Sequence, residues 1–174
     1  GTLAIEAALI ASGAAPGRLR TFAFEGWPRL GGRVVDLSAG HRHTPCAPPE
    51  VSPILACDND PVVVDRARRN AERAGVGGWI HFEVLPVSKV VAPASPGLVV
   101  CNPPYGTRLR DRRDLRNLYA AFGRQMRSAF AGWQVAFVTT KPELAAATGL
   151  QPVTVGPVLD NGGLKVRLYR SLVR

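Results

Sequence analysis

The sequence predicts an α/β fold: a doubly wound, mostly parallel sheet finished by an antiparallel C-terminal hairpin. Three observations lead there. The short continuous apolar runs PILAC (53–57) and GLVVC (97–101) look like buried parallel strands. Each is followed by a segment of helical period. Near the C-terminus, Asp160-Asn161-Gly162-Gly163 joins two extended segments in the manner of a hairpin turn. Strand–helix alternation closed by a hairpin describes a doubly wound α/β sheet with an antiparallel edge.

The elements follow in order. TLAIEAALIA (2–11) is apolar nearly all round, so a helix packed on both sides is expected, stopped by Gly13 and Pro16. Residues 31–53 hold four prolines without a period and read as a long surface loop. After the strand at 53–57, Asp60 offers an N-cap and Pro61 a first helical residue. Val63, Ala67, Ala71 and Ala74 line one face of that helix, and Gly75 supplies the left-handed stop. WIHFEV (79–84) alternates as a strand does. The longest helix is expected over 112–130, with Asp111 as cap and Leu115, Leu118, Phe122, Met126 and Phe130 at steps of three and four. WQVAFVTT (133–140) is a strand, and PELAAATG is a short helix ending at Gly149. QPVTVGPVL and GLKVRLYRSL form the closing hairpin.

Composition bounds the function. The 174 residues suit one domain, 1–174, with 46% hydrophobic residues and a core of useful size. No apolar run approaches the ~18 residues of a membrane span, and no signal peptide is read at the start. The chain opens on Gly1 rather than Met and is read as a portion of a longer protein. Cys46, Cys57 and Cys101 are too few and too scattered for a disulfide framework, which fits a reducing cytoplasm. The net charge is +9, from 22 basic against 13 acidic residues, and a polyanion, nucleic acid first, is the expected partner. His41, His43 and Cys46 lack the paired spacing of a structural zinc site, so no metal is expected.

Two strands stop in polar residues, the first in Asp58 and the later one in Asn102. Ligands of open α/β sheets sit beyond the carboxyl ends of strands, so Asp58 and Asn102 are expected to border one crevice. An acid there, ahead of a helix, suits a ribose diol. Asn102-Pro103-Pro104-Tyr105 suits an exocyclic amine. Such a nitrogen is a poor nucleophile because its lone pair is delocalised into the ring. Two acceptors, the Asn102 side-chain oxygen and the Pro103 carbonyl, can hold its two N–H groups and favour a tetrahedral nitrogen. Prolines fix φ near ~−65° and remove competing donors. Tyr105 offers a ring for an extruded base to stack on, a contact worth ~1–3 kcal/mol. Arg108, Arg110, Arg112, Arg113 and Arg116 gather just after it and could hold nucleic-acid phosphates.

NPPYGTRL, together with ACDNDP…ARRNAERAGV, GTLAIEAALIA…APG…FAFEGWP and a terminal NGGLKVRLYR, resembles the large-subunit ribosomal-RNA guanine-N2 methyltransferases, within the wider THUMP-linked group. The resemblance covers most of the chain outside roughly 29–52. It implies a Rossmann-like class I methyltransferase fold, S-adenosylmethionine as cofactor and a guanine of 23S rRNA as substrate. It further implies that the first strand of that fold, with most of its glycine-rich loop, precedes Gly1. By position, Asn102, Pro103, Pro104 and Tyr105 match the catalytic motif. Gly1 and Thr2 match the end of the cofactor loop and Asp58 the ribose-binding acid; Asn59 and Asn102 complete the cofactor set. Pro86 stands where the family pattern has an acid. Adenine-N6 methylation of DNA or RNA remains open on the NPPY motif, as does a non-catalytic RNA-binding remnant. So does a local cofactor motif at VVDLSAG (34–40) with Asp36, although the prolines that follow it break any helix.

Overall fold

A computed structural model describes residues 1–17, 20, 23, 47, 54–93, 96–106, 115–151 and 154–174. The predicted loop over 31–53 lies outside these apart from Ala47, as do Asp111 to Asp114 ahead of the long helix. The chain divides into two compact units, Gly1–Val84 and Leu85–Arg174.

In the first unit, helix α1 (Thr2–Ala11) is followed by strand β1 (Ile54–Asp58), helix α2 (Pro61–Arg73) and strand β2 (Ile80–Val84). β1 and β2 pair in parallel, from Ile54 beside Ile80 to Asp58 beside Val84. Asp60 caps α2 as its sequence position suggests: Oδ1 accepts from Val62 N at 2.8 Å and Val63 N at 3.4 Å. That first turn stands free of the core, and the buried face of α2 begins at Val64 rather than Val63, continuing through Ala67 and Ala71. The expectation that α1 is packed on both sides is also corrected. Ala8 is fully buried and Ala4, Ile5 and Leu9 pack around it, whereas Leu3 and Ile10 are 51% and 79% exposed. At 100° per residue, positions 4, 5, 8 and 9 share one side of the helix, and positions 3 and 10 fall opposite.

The second unit is a four-stranded sheet in the order β3-β4-β6-β5, formed by β3 (Leu98–Cys101), β4 (Gln134–Thr139), β5 (Thr154–Asn161) and β6 (Leu164–Leu172). β3 runs parallel to β4, and β6 runs antiparallel to both β4 and β5. Helices α3 (Leu115–Ala129) and α4 (Pro142–Ala147) supply the rest of the core. β4 alternates as a strand with one covered face, burying Val135, Phe137 and Thr139. Phe137 is the hub: its ring stacks on Tyr169 at 5.5 Å and meets Phe122 and Tyr119 edge-on at 5.8 and 6.2 Å. Phe122, Met126 and Phe130 are buried as their spacing predicts, and Tyr119 and Gly123 join them. Burial pushes the Tyr119 phenol up to about 12, opposed by the nearby Thr139 hydroxyl.

β3 is not buried on both faces as its apolar run suggests. Val99 and Cys101 pack on the core, while Leu98 and Val100 are 57% and 49% exposed. In its own sheet β3 is an outer strand, and the core layer covers only the face that carries Val99 and Cys101. At the opposite edge, β5 carries an irregularity between Val155 and Val158, where Gly156 and Pro157 interrupt the pairing with β6. The β5–β6 turn is Gly162-Gly163, with φ of 61° and 84°. Positive φ at both central residues is what a two-residue hairpin turn needs, and glycine adopts it without steric cost. Among the described residues no helix is long and apolar enough to cross a membrane.

Candidate active site

β3 and β4 pair through Cys101 beside Phe137, and there the ladder stops. Asn102 follows, then two prolines that have no N–H to continue it. The chain therefore leaves the sheet as a stiff tip. Asn102 and Pro104 are exposed, and Pro103 and Tyr105 are half-buried. The Asn102 amide makes no hydrogen bond to the described residues and is free to meet a ligand. The Tyr105 hydroxyl is held, since it accepts from Asn161 Nδ2 at 2.8 Å. Beside it opens a cleft of about 610 Å³ lined by Tyr105, Gly106, Leu115, Thr140, Lys141, Leu164 and Lys165.

Asp58 ends β1 in the first unit, half-buried, with Oδ1 accepting from Asp60 N at 3.0 Å. Its role in the turn into α2 is thus real, but it engages one carboxylate oxygen, and Oδ2 has no partner among the described residues. Asp60 supplies the helix cap itself. A carboxylate at a strand's carboxyl end with one oxygen free fits the hydroxyls of a ribose diol, which donate to it. Asn59 beside it is exposed. At the preceding position, burial first and the negative charge of Glu83 second push the Cys57 thiol up, so it stays protonated.

Gly1 is the N-cap of α1, its carbonyl accepting from Ile5 N at 3.0 Å, and Thr2 is the first helical residue. Pro86 is exposed and precedes the short turn Val87–Lys89. Asp58 belongs to the first unit, and Asn102 and Tyr105 to the second. Arg108, Arg110, Arg112 and Arg113 lie outside the described residues, as do Asp36, His41, His43 and Cys46; Arg116 stands exposed on α3. Among the described residues no cluster of His, Cys, Asp and Glu could hold a metal ion.

Sequence reasoning did not reach Asn161. Its place in Asp-Asn-Gly-Gly marks it as a turn residue, and nothing local connects it to a tyrosine 56 positions earlier.

The model for the RMKL-like methyltransferase domain matches residues 1–168. A curated relative, the ribosomal RNA large subunit methyltransferase K/L of Syntrophotalea carbinolica, is 37% identical over 182 residues, which cover 97% of this chain and 24% of the relative. The chain spans about a quarter of the length of such relatives. Among solved structures, SMU.472, a protein in complex with SAH, is similar with a TM-score of 0.81 and 29% identity, covering all of this chain and 46% of that one. A Listeria monocytogenes protein described as a predicted N6-adenine-specific DNA methylase is similar with a TM-score of 0.78 and 28% identity, over all of this chain and 44% of that one.

Proposed function

Because this chain belongs to the RMKL-like methyltransferase domain family, we propose that it carries the methyl-transfer site of an enzyme that methylates the exocyclic N2 of a guanine in large-subunit rRNA. Its fold is that of the class I methyltransferases, and its cofactor is S-adenosylmethionine, as the SAH held by the similar SMU.472 structure supports. The observation that carries the reading is the tip of β3: a free Asn102 amide, two prolines that stiffen it, and a tyrosine beside a cleft.

Bound S-adenosylmethionine supplies an electrophilic methyl group. The protein's part is to make the amine nucleophilic. Asn102 Oδ1 and the Pro103 carbonyl accept the amine's two N–H groups, which draws the nitrogen lone pair out of conjugation with the ring. The proton leaves to solvent after transfer, so no general base is required. Tyr105 stacks the extruded base and sets its plane. Asp58 holds the cofactor ribose through the oxygen its turn leaves free. The excess of positive charge favours a structured polyanion.

The test is the product. The full-length protein carrying this domain is incubated with unmethylated large-subunit rRNA and S-adenosylmethionine, and the RNA is digested to nucleosides for mass spectrometry. N2-methylguanosine is expected. N6-methyladenosine would overturn the choice of base, and the likeness to the Listeria protein is what keeps that outcome in view. Absence of methylated nucleoside would overturn the assignment altogether.

The cofactor role has its own measurement. Asp58→Ala should weaken S-adenosylmethionine binding by about 1.5–3 kcal/mol, the range for hydrogen bonds to a charged group. Calorimetric titration of the same protein reads it directly, and an unchanged affinity would remove Asp58 from the site.

A further inference from the structure

We propose that Asn161, at the tip of the C-terminal hairpin, is a positioning residue for Tyr105, and that this hairpin tip is one wall of the site that receives the target nucleotide. The inference rests on the methyl-transfer reading above and adds a residue and an element to it.

The chain of causes begins in the turn. Gly162 and Gly163 both take positive φ, so β5 and β6 reverse in two residues and Asn161 faces Leu164 as the last rung of the ladder. Asp160 secures the same turn, accepting from Gly163 N at 2.8 Å and from Lys165 Nζ at 2.9 Å. Asn161 therefore stands on a fixed support rather than on a wandering loop. From there its amide donates to the Tyr105 hydroxyl at 2.8 Å.

A tyrosine that follows two prolines and precedes a glycine has little else to orient its ring. Rotation about χ1 would swing the ring away from the tip. Anchoring the hydroxyl fixes the far end of the side chain and so the plane on which a base would stack. The cleft beside Tyr105 supports the same assignment, because Leu164 and Lys165 of the hairpin line it together with Lys141 after β4. These lysines are two of only three in the chain, and they bring ammonium groups to a cleft whose proposed occupant carries phosphate. Since the contact is exposed at present, water competes with it; a stacked base would exclude that water and strengthen the bond.

The experiment is a double-mutant cycle on the full-length protein with unmethylated large-subunit rRNA. Asn161→Ala and Tyr105→Phe should each lower kcat about fivefold, the effect of one ordinary hydrogen bond, with KM for S-adenosylmethionine unchanged. The double variant should fall no further than either single one, because both remove the same contact. Thermal melting of Asn161→Ala should match the wild type, which separates positioning from folding. Full activity in Asn161→Ala would overturn the proposal, as would a double variant whose loss is the product of the two. A wild-type protein that methylates no RNA would instead overturn the underlying reading, and this inference with it.

Discussion

Asn102→Ala should reduce methyl transfer by roughly 10²–10³-fold or more while leaving the fold intact, on the scale of removing one preorganised polar group from a transition state. The side chain is exposed at the end of β3 and makes no hydrogen bond to the described residues, so nothing in the core depends on it. Its loss removes one of the two acceptors that turn a conjugated amine into a nucleophile. RNA affinity, governed largely by contacts to phosphate, should hardly change. Asn102→Asp, which keeps an oxygen in place, should lose less than the alanine variant. Single-turnover transfer of a labelled methyl group, alongside filter binding of the RNA, separates the two effects. An alanine variant retaining more than a tenth of the wild-type rate would deprive Asn102 of its role.

The second large effect lies away from the chemistry. A Cβ added at Gly123 of α3 would stand 1.8 Å from the Thr148 carbonyl oxygen and 2.5 Å from its carbon. These are backbone atoms and cannot rotate aside. The same carbonyl accepts from Arg127 Nη1 at 2.6 Å, and the Thr148 hydroxyl donates to Ala145 O at 2.7 Å, so the end of α4 is pinned where the clash would occur. Gly123→Ala should destabilise the protein by about 3 kcal/mol or more, at the upper end of overpacking costs. Urea unfolding measures this, with exposed Ser128→Ala as a control expected within about 0.5 kcal/mol of wild type. On helix propensity alone the glycine-to-alanine change would stabilise by about 1 kcal/mol, so the two arguments differ in sign.

That contrast shows what local pattern can and cannot carry. The cap at Asp60, the left-handed stop at Gly75, the turn at Gly162-Gly163 and the halt of β3 before Pro103 were legible because each follows from the backbone chemistry of a few adjacent residues. The place of Asn102 at the end of β3 was legible for the same reason: a strand stopped by Asn-Pro-Pro-Tyr is a statement about four residues. Tyr119 was missed because a phenol counts as polar in a periodic pattern, although its ring is buried against Phe137. Gly123 was missed because its value is a close approach by a segment 25 positions away, visible only once the helices are packed. The exposed halves of α1 and β3 escaped for the opposite reason. An apolar run reports capacity for burial on every side, whereas the fold decides which side is covered. Asn161 belongs with Gly123, as a residue whose meaning depends on a contact far away in sequence.

The irregular strand β5 has a consequence for how the protein behaves in a crowded solution. As the outermost strand of its sheet, with Val155, Val158 and Leu159 roughly half exposed, it has the makings of a template on which a foreign strand could add. Pro157 denies such a visitor one donor, and the register shift between Val155 and Val158 breaks the even row of amides and carbonyls that docking would need. Lys165 and Arg167 on the neighbouring strand put positive charge beside it. Gly156 and Pro157, which spoil β5 as a regular strand, therefore work against self-association along that edge. Restoring regularity there, for example by Pro157→Val, would exchange a local defect for an aggregation hazard.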